Sequence, residues 1–357
     1  MKNNLNVIKV SDFKFSLPKE LIAQHPLDFR DDSRLLVLHK KDGSIEHRMF
    51  KDIIEYFDAD DCFVFNDTKV IPAKLYGVKE KSDARIGVFL LRELNQNNKL
   101  WDVLVWPARK IRISNKICFG LDNSLMAEVV ENTINGGRAI RFLYDGSHEE
   151  FKQYLYALGT PPLPDYIERE VVPEDFERYQ TIYASHEGAV VAPSAGFHFS
   201  KNLLKRMELK DIRMGFLTLH NGLGAFEPQD IEDPSKHKRH NERLIVPLSC
   251  CEITRKSKDA GKRIVAVGTS VFRGLETVVS TDGYIKEFDG WTNKYIYPPY
   301  QPQFTDALLT GFHLSGSLLL LMTAGMAGFD ETMNAYEVAI KEKYRFGCYG
   351  DAMLIID

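Results

Sequence analysis

The chain has 357 residues, 44% of them hydrophobic and 27% charged, with 46 basic against 50 acidic side chains and a formal net charge of −4. That suits a folded protein long enough for two domains and a large core, and it excludes a globally basic nucleic-acid binder, so any positive surface must be local. No apolar run has membrane-spanning length and the opening Met-Lys-Asn-Asn-Leu lacks a signal-peptide core, so a cytoplasmic location is expected.

Residues 1–61 read as a mixed opening. Leu-Ile-Ala-Gln-His-Pro at 21–26 sets His25 before a proline, and the apolar run at 34–38, followed by Asp42-Gly43, predicts a strand and a turn. From 62 to 145 come short strand-like runs at 62–65, 70–78, 86–91, 101–106, 116–119, 126–130 and 138–144, separated by turn residues such as Asn66-Asp67 and Asn135-Gly136-Gly137. Regular strands without helices between them predict a small antiparallel barrel or sandwich, inserted into a larger domain.

Thr-Pro-Pro-Leu-Pro at 160–164 is a stiff connector back to that larger domain. Residues 187–200 then pack small residues, one proline and one histidine together: Gly188, Ala189, Ala192, Ala195 and Gly196 leave room for a ligand to reach backbone N–H groups, and Pro193 stiffens the turn. His198 lies between two Phe residues, where burial would lower its pKa and a neighbouring acid would raise it. A tight buried turn with a satisfied histidine is the other reading of this stretch.

Ser200 is a predicted N-cap for a helix carrying Leu203, Leu204 and Met207, and the apolar run 212–219 predicts a buried parallel strand ending at His220. The next unit repeats the pattern, with a strand at 263–267, a turn at Gly268-Thr269-Ser270 and a helix over 271–280 that sets Arg273 and Glu276 on one face. Ligands of open α/β sheets sit outside the carboxyl ends of the strands, which is where His220 and Gly268-Thr269 fall. Asp306 and His313 follow, then a helix over 317–328, a second helix after Asp330 and a buried strand at 351–356.

Several chemistries lack their signatures. Gly222-Leu223-Gly224 lacks the third glycine of a dinucleotide fingerprint, and no phosphate loop ends in Gly-Lys-Ser/Thr. The five cysteines form no Cys-x-x-Cys pair and His237 and His240 have no third ligand nearby, so no metal is expected. Two basic clusters, Arg109, Lys110 and Arg112, and residues 236–240 with Lys238 and Arg239, can serve RNA or be solvated loops.

Taken together, the phrases at 21–26, 64–73, 178–183, 192–199, 264–269 and 349–355 resemble those of the S-adenosylmethionine:tRNA ribosyltransferase-isomerases of the queuosine pathway, in order from about Asp12 to the C-terminus. The resemblance implies a transferase that moves and isomerises the ribosyl part of S-adenosylmethionine onto 7-aminomethyl-7-deazaguanine at the wobble position of tRNA, giving epoxyqueuosine, adenine and methionine. The alternative is a diverged relative that binds a nucleoside cosubstrate or RNA but has another acceptor or no catalysis. The fold implied is a three-layer α/β domain with a mostly parallel sheet, formed by 1–61 and 146–357, and an inserted antiparallel β-barrel over 62–145. S-adenosylmethionine enters as cosubstrate, with no permanently bound cofactor, and a monomer is expected.

On this footing His198, His220 and Glu276 are the expected catalytic residues, and replacing His198 by Ala would cost about a hundredfold in turnover if it is the base. The cosubstrate is expected at Gly188, Ala192, Pro193, Ser194, Ala195, Gly196, Gly268, Thr269, Arg273 and His313, with Asp306 near it. The tRNA is expected at Asn66, Asp67, Thr68, Arg109, Lys110, Lys238 and Arg239. The chain departs from the family phrases at Ser194 and Phe197, around Arg273, at 311–317 where a lysine is missing, and at Gly87 where an acid is common.

Overall fold

The computed structural model describes residues 8–133, 136–222, 232–237 and 240–357. Among these the strands are β1 Arg34–His39, β2 Ile45–Met49, β3 Cys62–Asn66, β4 Thr68–Val70, β5 Lys74–Lys79, β6 Arg85–Asn95, β7 Leu100–Trp106, β8 Lys116–Phe119, β9 Leu125–Asn132, β10 Arg138–Leu143, β11 His186–Ala189, β12 Arg213–Leu219, β13 Glu242–Val246, β14 Ile264–Val267, β15 Phe288–Thr292, β16 Ala307–Gly311 and β17 Ala352–Ile356. The helices are α1 His148–Leu158, α2 Asp175–Arg178, α3 Lys201–Leu209, α4 Leu248–Asp259, α5 Thr269–Val278, α6 Leu318–Ala327 and α7 Phe329–Lys341. None is long and apolar enough to cross a membrane.

Nine strands form one sheet in the order β15-β13-β12-β3-β14-β16-β17-β1-β2. Its interior strands are apolar on both faces, and period-2 alternation sends their side chains to two cores. Val64, Ala266, Leu308, Met353 and Ile355 meet α4, α5, α6 and α7, whereas Phe63, Phe65, Val265, Leu309 and Leu354 meet α3 and the 3-10 helix Phe50–Tyr56. The three-layer α/β class is therefore right. The sheet is mixed rather than mostly parallel: β12 with β3, β3 with β14, β14 with β16 and β17 with β1 run parallel, and the remaining neighbours are antiparallel. The β1–β2 hairpin at one margin, the antiparallel β13 and β15 at the other and the reversed β17 account for the difference.

Strands β5 to β10 close into a six-stranded barrel with antiparallel pairing throughout, in the order β10-β7-β6-β5-β8-β9. The barrel begins at Lys74, not at residue 62. Cys62–Asn66 is wholly buried and pairs with β12 and β14 inside the large sheet, and Thr68–Val70 pairs with β11, so the short apolar run at 62 was a core strand of the body. At the other end the unit extends past 145, because Phe151 and Leu155 of α1 pack into the barrel core. Ser147 caps that helix by accepting from the Glu150 N–H while the Glu150 carboxylate accepts from the Ser147 N–H.

This topology decides where a ligand goes. β3, β12, β14 and β16 are parallel neighbours, so their carboxyl ends open on one edge, and the chain leaves that edge at Asp67, His220, Gly268 and Phe312.

Candidate functional site

A cavity of about 880 Å³ lies at that edge, between the strand ends and the barrel. One wall is residues 192–195, another is Gly268, Thr269, Ser270 and Arg273, a third is 310–317, and Lys74, Tyr76, Phe89, Leu104 and Trp106 close it from the barrel. Small side chains are needed where the walls meet. Gly268, at φ 96°, turns β14 directly into α5 and lies against Ala195, a backbone conformation that strains any residue with a Cβ. Of the expected cosubstrate residues, Ala192, Pro193, Ser194, Ala195, Gly268, Thr269, Arg273 and His313 line this one cavity. Gly188 and Gly196 do not: Gly188 lies against the His220 ring, and Gly196 makes room for the Tyr183 hydroxyl. Asp306 accepts from the Ile264 N–H and pairs with Lys258, at the opposite, entering end of β14 and β16.

Arg273 is the charged anchor of the cavity. It is 1% exposed, one Nη2–H reaches the Glu242 carboxylate, and its Nε and Nη1 have no hydrogen-bond partner. Glu242 in turn accepts from the Gly222 N–H at 2.6 Å. His313 is held by its Nε2, 2.9 Å from Thr310 Oγ1, and by its backbone N–H, which donates to the Tyr336 hydroxyl. Burial pushes its imidazole down to about 3, so it faces the cavity uncharged.

The three expected catalytic residues lie outside the cavity lining. His198 ends the 3-10 helix Ser194–His198 with its Nδ1 2.8 Å from Ser33 Oγ and its ring 4.9 Å from that of Phe50. It faces a separate narrow cleft lined by Arg30, Arg178 and Tyr349, and burial, with Arg345 and Arg30 nearby, lowers its pKa to about 3. Glu276 accepts from the Tyr300 hydroxyl, the N–H groups of Gln303, Phe304 and Thr305, and the Thr305 hydroxyl, all within 3.1 Å. That set fills its oxygens and fixes the loop ahead of β16. His220 has its Nδ1 2.7 Å from Thr68 Oγ1, and burial first, then nearby His186, lowers its pKa.

Of the residues expected at the tRNA, Asn66 and Thr68 are buried and Asp67 is half-buried. Asn66 is fully buried and staples β3 to β12 and α5, donating to Leu219 O and Ser270 Oγ and accepting from the N–H groups of Leu219 and Thr68. Asp67 accepts from Thr218 Oγ1 at 2.6 Å and lies 3.1 Å from His186 Nδ1, and Thr68 is buried beneath His220. Polar residues at a strand end read as a turn or an RNA contact in sequence, whereas here they satisfy the sheet's own edge. Arg109 and Lys110 are exposed on the barrel and line a shallow concavity with Lys79 and Arg112. Lys238 and Arg239 lie outside the described residues, as does Gly224.

Sequence reasoning missed Glu242, Thr310, Tyr76 and Trp106. For Glu242 a signal existed, because alternation with Leu244 and Val246 puts this acid on the buried face of its strand. Where the phrase 311–317 lacks a lysine, Lys14 lines the cavity with its side chain against Gly316. The five cysteines are free and buried, and no group of three or more His, Cys, Asp or Glu among the described residues is arranged to hold a metal ion.

Residues 10–355 match the family model described as queuosine biosynthesis protein. The S-adenosylmethionine:tRNA ribosyltransferase-isomerase of Parabacteroides distasonis is 60% identical over 349 residues, covering 98% of this chain and 100% of that protein, and the protein of the same name from Flavobacterium psychrophilum is 55% identical with the same coverage. Among solved structures, the S-adenosylmethionine tRNA ribosyltransferase of Thermotoga maritima superposes with a TM-score of 0.55 at 34% identity, over 97% of this chain and 100% of that one.

Proposed function

The chain belongs to the queuosine biosynthesis protein family, and we propose that it transfers and isomerises the ribosyl group of S-adenosylmethionine onto 7-aminomethyl-7-deazaguanine in tRNA. One observation carries the reading at the level of chemistry: a cavity walled by backbone and small side chains and lined by a buried arginine whose Nε and Nη1 are left without partners. A buried donor without a partner costs about 1–3 kcal/mol, so a ligand that supplies an acceptor there is bound strongly. The carboxylate of the methionyl part of S-adenosylmethionine is such an acceptor for a guanidinium.

The remaining walls fit the rest of the cosubstrate. Residues 192–195 and the N-terminal turn of α5 present main-chain groups to the adenosyl part, and the neutral His313 offers a hydrogen-bonding nitrogen without placing a second positive charge beside the sulfonium. The sulfonium acidifies the C5′ hydrogens, so removal of one starts adenine elimination, the aminomethyl group attacks, and methionine departs after ring rearrangement. His198, His220 and Glu276 position this machinery. His198 fixes the turn that carries 192–195, Glu276 fixes the segment before β16, and His220 seats β11 against the strand ends.

In this reading the α/β body holds the cosubstrate and the inserted barrel presents the RNA, with Arg109 and Lys110 on phosphates. The enzyme works as a cytoplasmic monomer in this reading, and S-adenosylmethionine is consumed rather than retained as a cofactor. Incubating the protein with S-adenosylmethionine and tRNA bearing the aminomethyl-deazaguanine base should release adenine and yield epoxyqueuosine by nucleoside mass. Cosubstrate binding without adenine release would leave a diverged relative with another acceptor.

A further inference from the structure

We propose that Tyr76 and Trp106 form a platform on which the acceptor base of the RNA stacks, an inference that rests on the function proposed above. Tyr76 on β5, Gly87 on β6 and Trp106 on β7 are direct cross-strand partners. The two rings are perpendicular with centroids 6.0 Å apart, and they are 63% and 39% exposed. Both line the cavity that contains Arg273.

Gly87 is what lets the indole lie down on the sheet. A Cβ at that position would come within 2.0 Å of the Trp106 ring, so any side chain there lifts the indole away. The outcome is a broad aromatic surface at the cavity mouth, with the acid expected at 87 replaced by nothing at all.

Cations follow each aromatic at a fixed distance along the chain. Lys79 comes three residues after Tyr76, and Arg109 and Lys110 come three and four after Trp106. Lys79 Nζ donates to Lys110 O at 3.1 Å, which ties the two ends together, and with Arg112 these groups line one concavity on the barrel. In a chain of net charge −4 this is a local positive strip beside an aromatic face. Single-stranded RNA is held by that pairing, with cations on the phosphates and aromatic rings under unstacked bases. The acceptor base must leave its own stack to bring its amine to the ribosyl donor, and the platform receives it next to that donor.

The test uses the full-length protein, S-adenosylmethionine and an anticodon stem-loop RNA bearing the aminomethyl-deazaguanine base. Trp106→Ala should raise KM for the RNA about 5- to 150-fold, the range of losing one base stack, with KM for S-adenosylmethionine little changed. Trp106→Phe, which keeps a ring, should retain most of the affinity, and Gly87→Ala should weaken RNA binding by displacing the indole. Tryptophan fluorescence supplies a readout that a purely structural role would not move: the RNA should quench the wild-type protein, and most of the quenching should vanish in Trp106→Phe. An active wild type with an unchanged RNA KM in Trp106→Ala overturns the platform. Should the wild type release no adenine with this RNA, the proposed function falls, and the fluorescence titration alone then decides the platform, with no Trp106-dependent quenching counting against it.

Discussion

Arg273 and Glu276 stand three residues apart on α5, both 1% exposed, and their surroundings differ in kind. Glu276 meets five donors from the segment 300–305, whereas Arg273, which lines the cavity, has Glu242 at Nη2 and no hydrogen-bond partner at its buried Nε and Nη1. The histidines divide the same way: His313 lines the cavity and His198 is sealed behind it against Ser33 and Phe50. Buried polar groups are nearly always satisfied, so an unpartnered guanidinium on a cavity-lining arginine calls for an explanation, and a ligand supplies one. Arg178 and Arg345 near His198 each leave one nitrogen unpartnered as well, so the contrast is between Arg273 and Glu276 and not between whole layers.

The largest effects should come from breaking the two charged residues. Arg273→Ala leaves the Glu242 carboxylate buried without its cation, which should cost about 3–5 kcal/mol in a denaturant melt and abolish cosubstrate binding by calorimetry. Arg273→Lys keeps the charge but loses the fork, so stability should fall much less while KM for S-adenosylmethionine rises about tenfold or more. Glu276→Gln should do the reverse, lowering stability by about 2 kcal/mol as charge-assisted bonds become neutral ones, with KM for S-adenosylmethionine within about twofold of wild type. A Glu276→Gln protein that melts normally yet loses turnover would erase the distinction between wall and shell.

The cavity-lining backbone was legible in the sequence. Small residues at 192–195 and the Gly268-Thr269 turn announced a close approach, the end-of-strand rule put Gly268-Thr269 in the cavity wall and His220 at the same edge but outside the lining, and Arg273 and His313 came from the family resemblance. Histidine and acid roles were not legible, because residue type reports what a side chain can do and burial decides whether it does. His198 and Glu276 have the chemistry of an acid or base, and packing sets the His198 ring against Ser33 and the Glu276 carboxylate against the segment 300–305. The barrel was readable from its turns, but its start was not: a wholly buried five-residue strand such as Cys62–Asn66 looks the same in a barrel or a large sheet. The stretches at 21–26, 178–183 and 349–355 that support the family resemblance fold near His198, as the contacts of Arg345 with His25 O, of Arg178 with Leu27 O and of Tyr349 with Asp175 indicate. Much of what identifies the family in sequence is thus shell, not wall.

Acid should affect wall and shell together. His198 and His313 would each take up a proton near 6.5 in the unfolded chain, and burial holds both down to about 3 in the folded one. Between those values the unfolded chain binds more protons, so the stability from keeping both rings neutral is complete above about pH 6.5 and is lost as pH falls toward 3. These two groups alone contribute a slope approaching about 3 kcal/mol per pH unit below pH 6, to which His220, its pKa also lowered by burial, adds; the slope is read from denaturant midpoints at successive pH values. Saturating S-adenosylmethionine should leave the His198 contribution unchanged while altering that of His313, which lines the cavity. His198→Asn should remove one proton and reduce the slope by about 1.4 kcal/mol per pH unit, and an unchanged slope would mean that His198 is not held neutral by the shell.

The smallest effect on turnover is expected at His198 itself, where the hundredfold loss of a general base would otherwise fall. His198→Ala removes the contact with Ser33 and the packing against Phe50, which should cost about 1–3 kcal/mol of stability. With a turn that remains folded at assay temperature, residues 192–195 keep their place through Pro193 and the 3-10 helix, so kcat should stay within about fivefold of wild type, a loss of under about 1 kcal/mol in the barrier. Ser33→Ala should reproduce the stability loss in part without touching a ring nitrogen's acid–base capacity, so the two variants should track each other. If His198→Ala were slowed a hundredfold while Ser33→Ala ran normally, the imidazole would be acting on substrate through a motion that opens its cleft, and His198 would move from the shell to the wall.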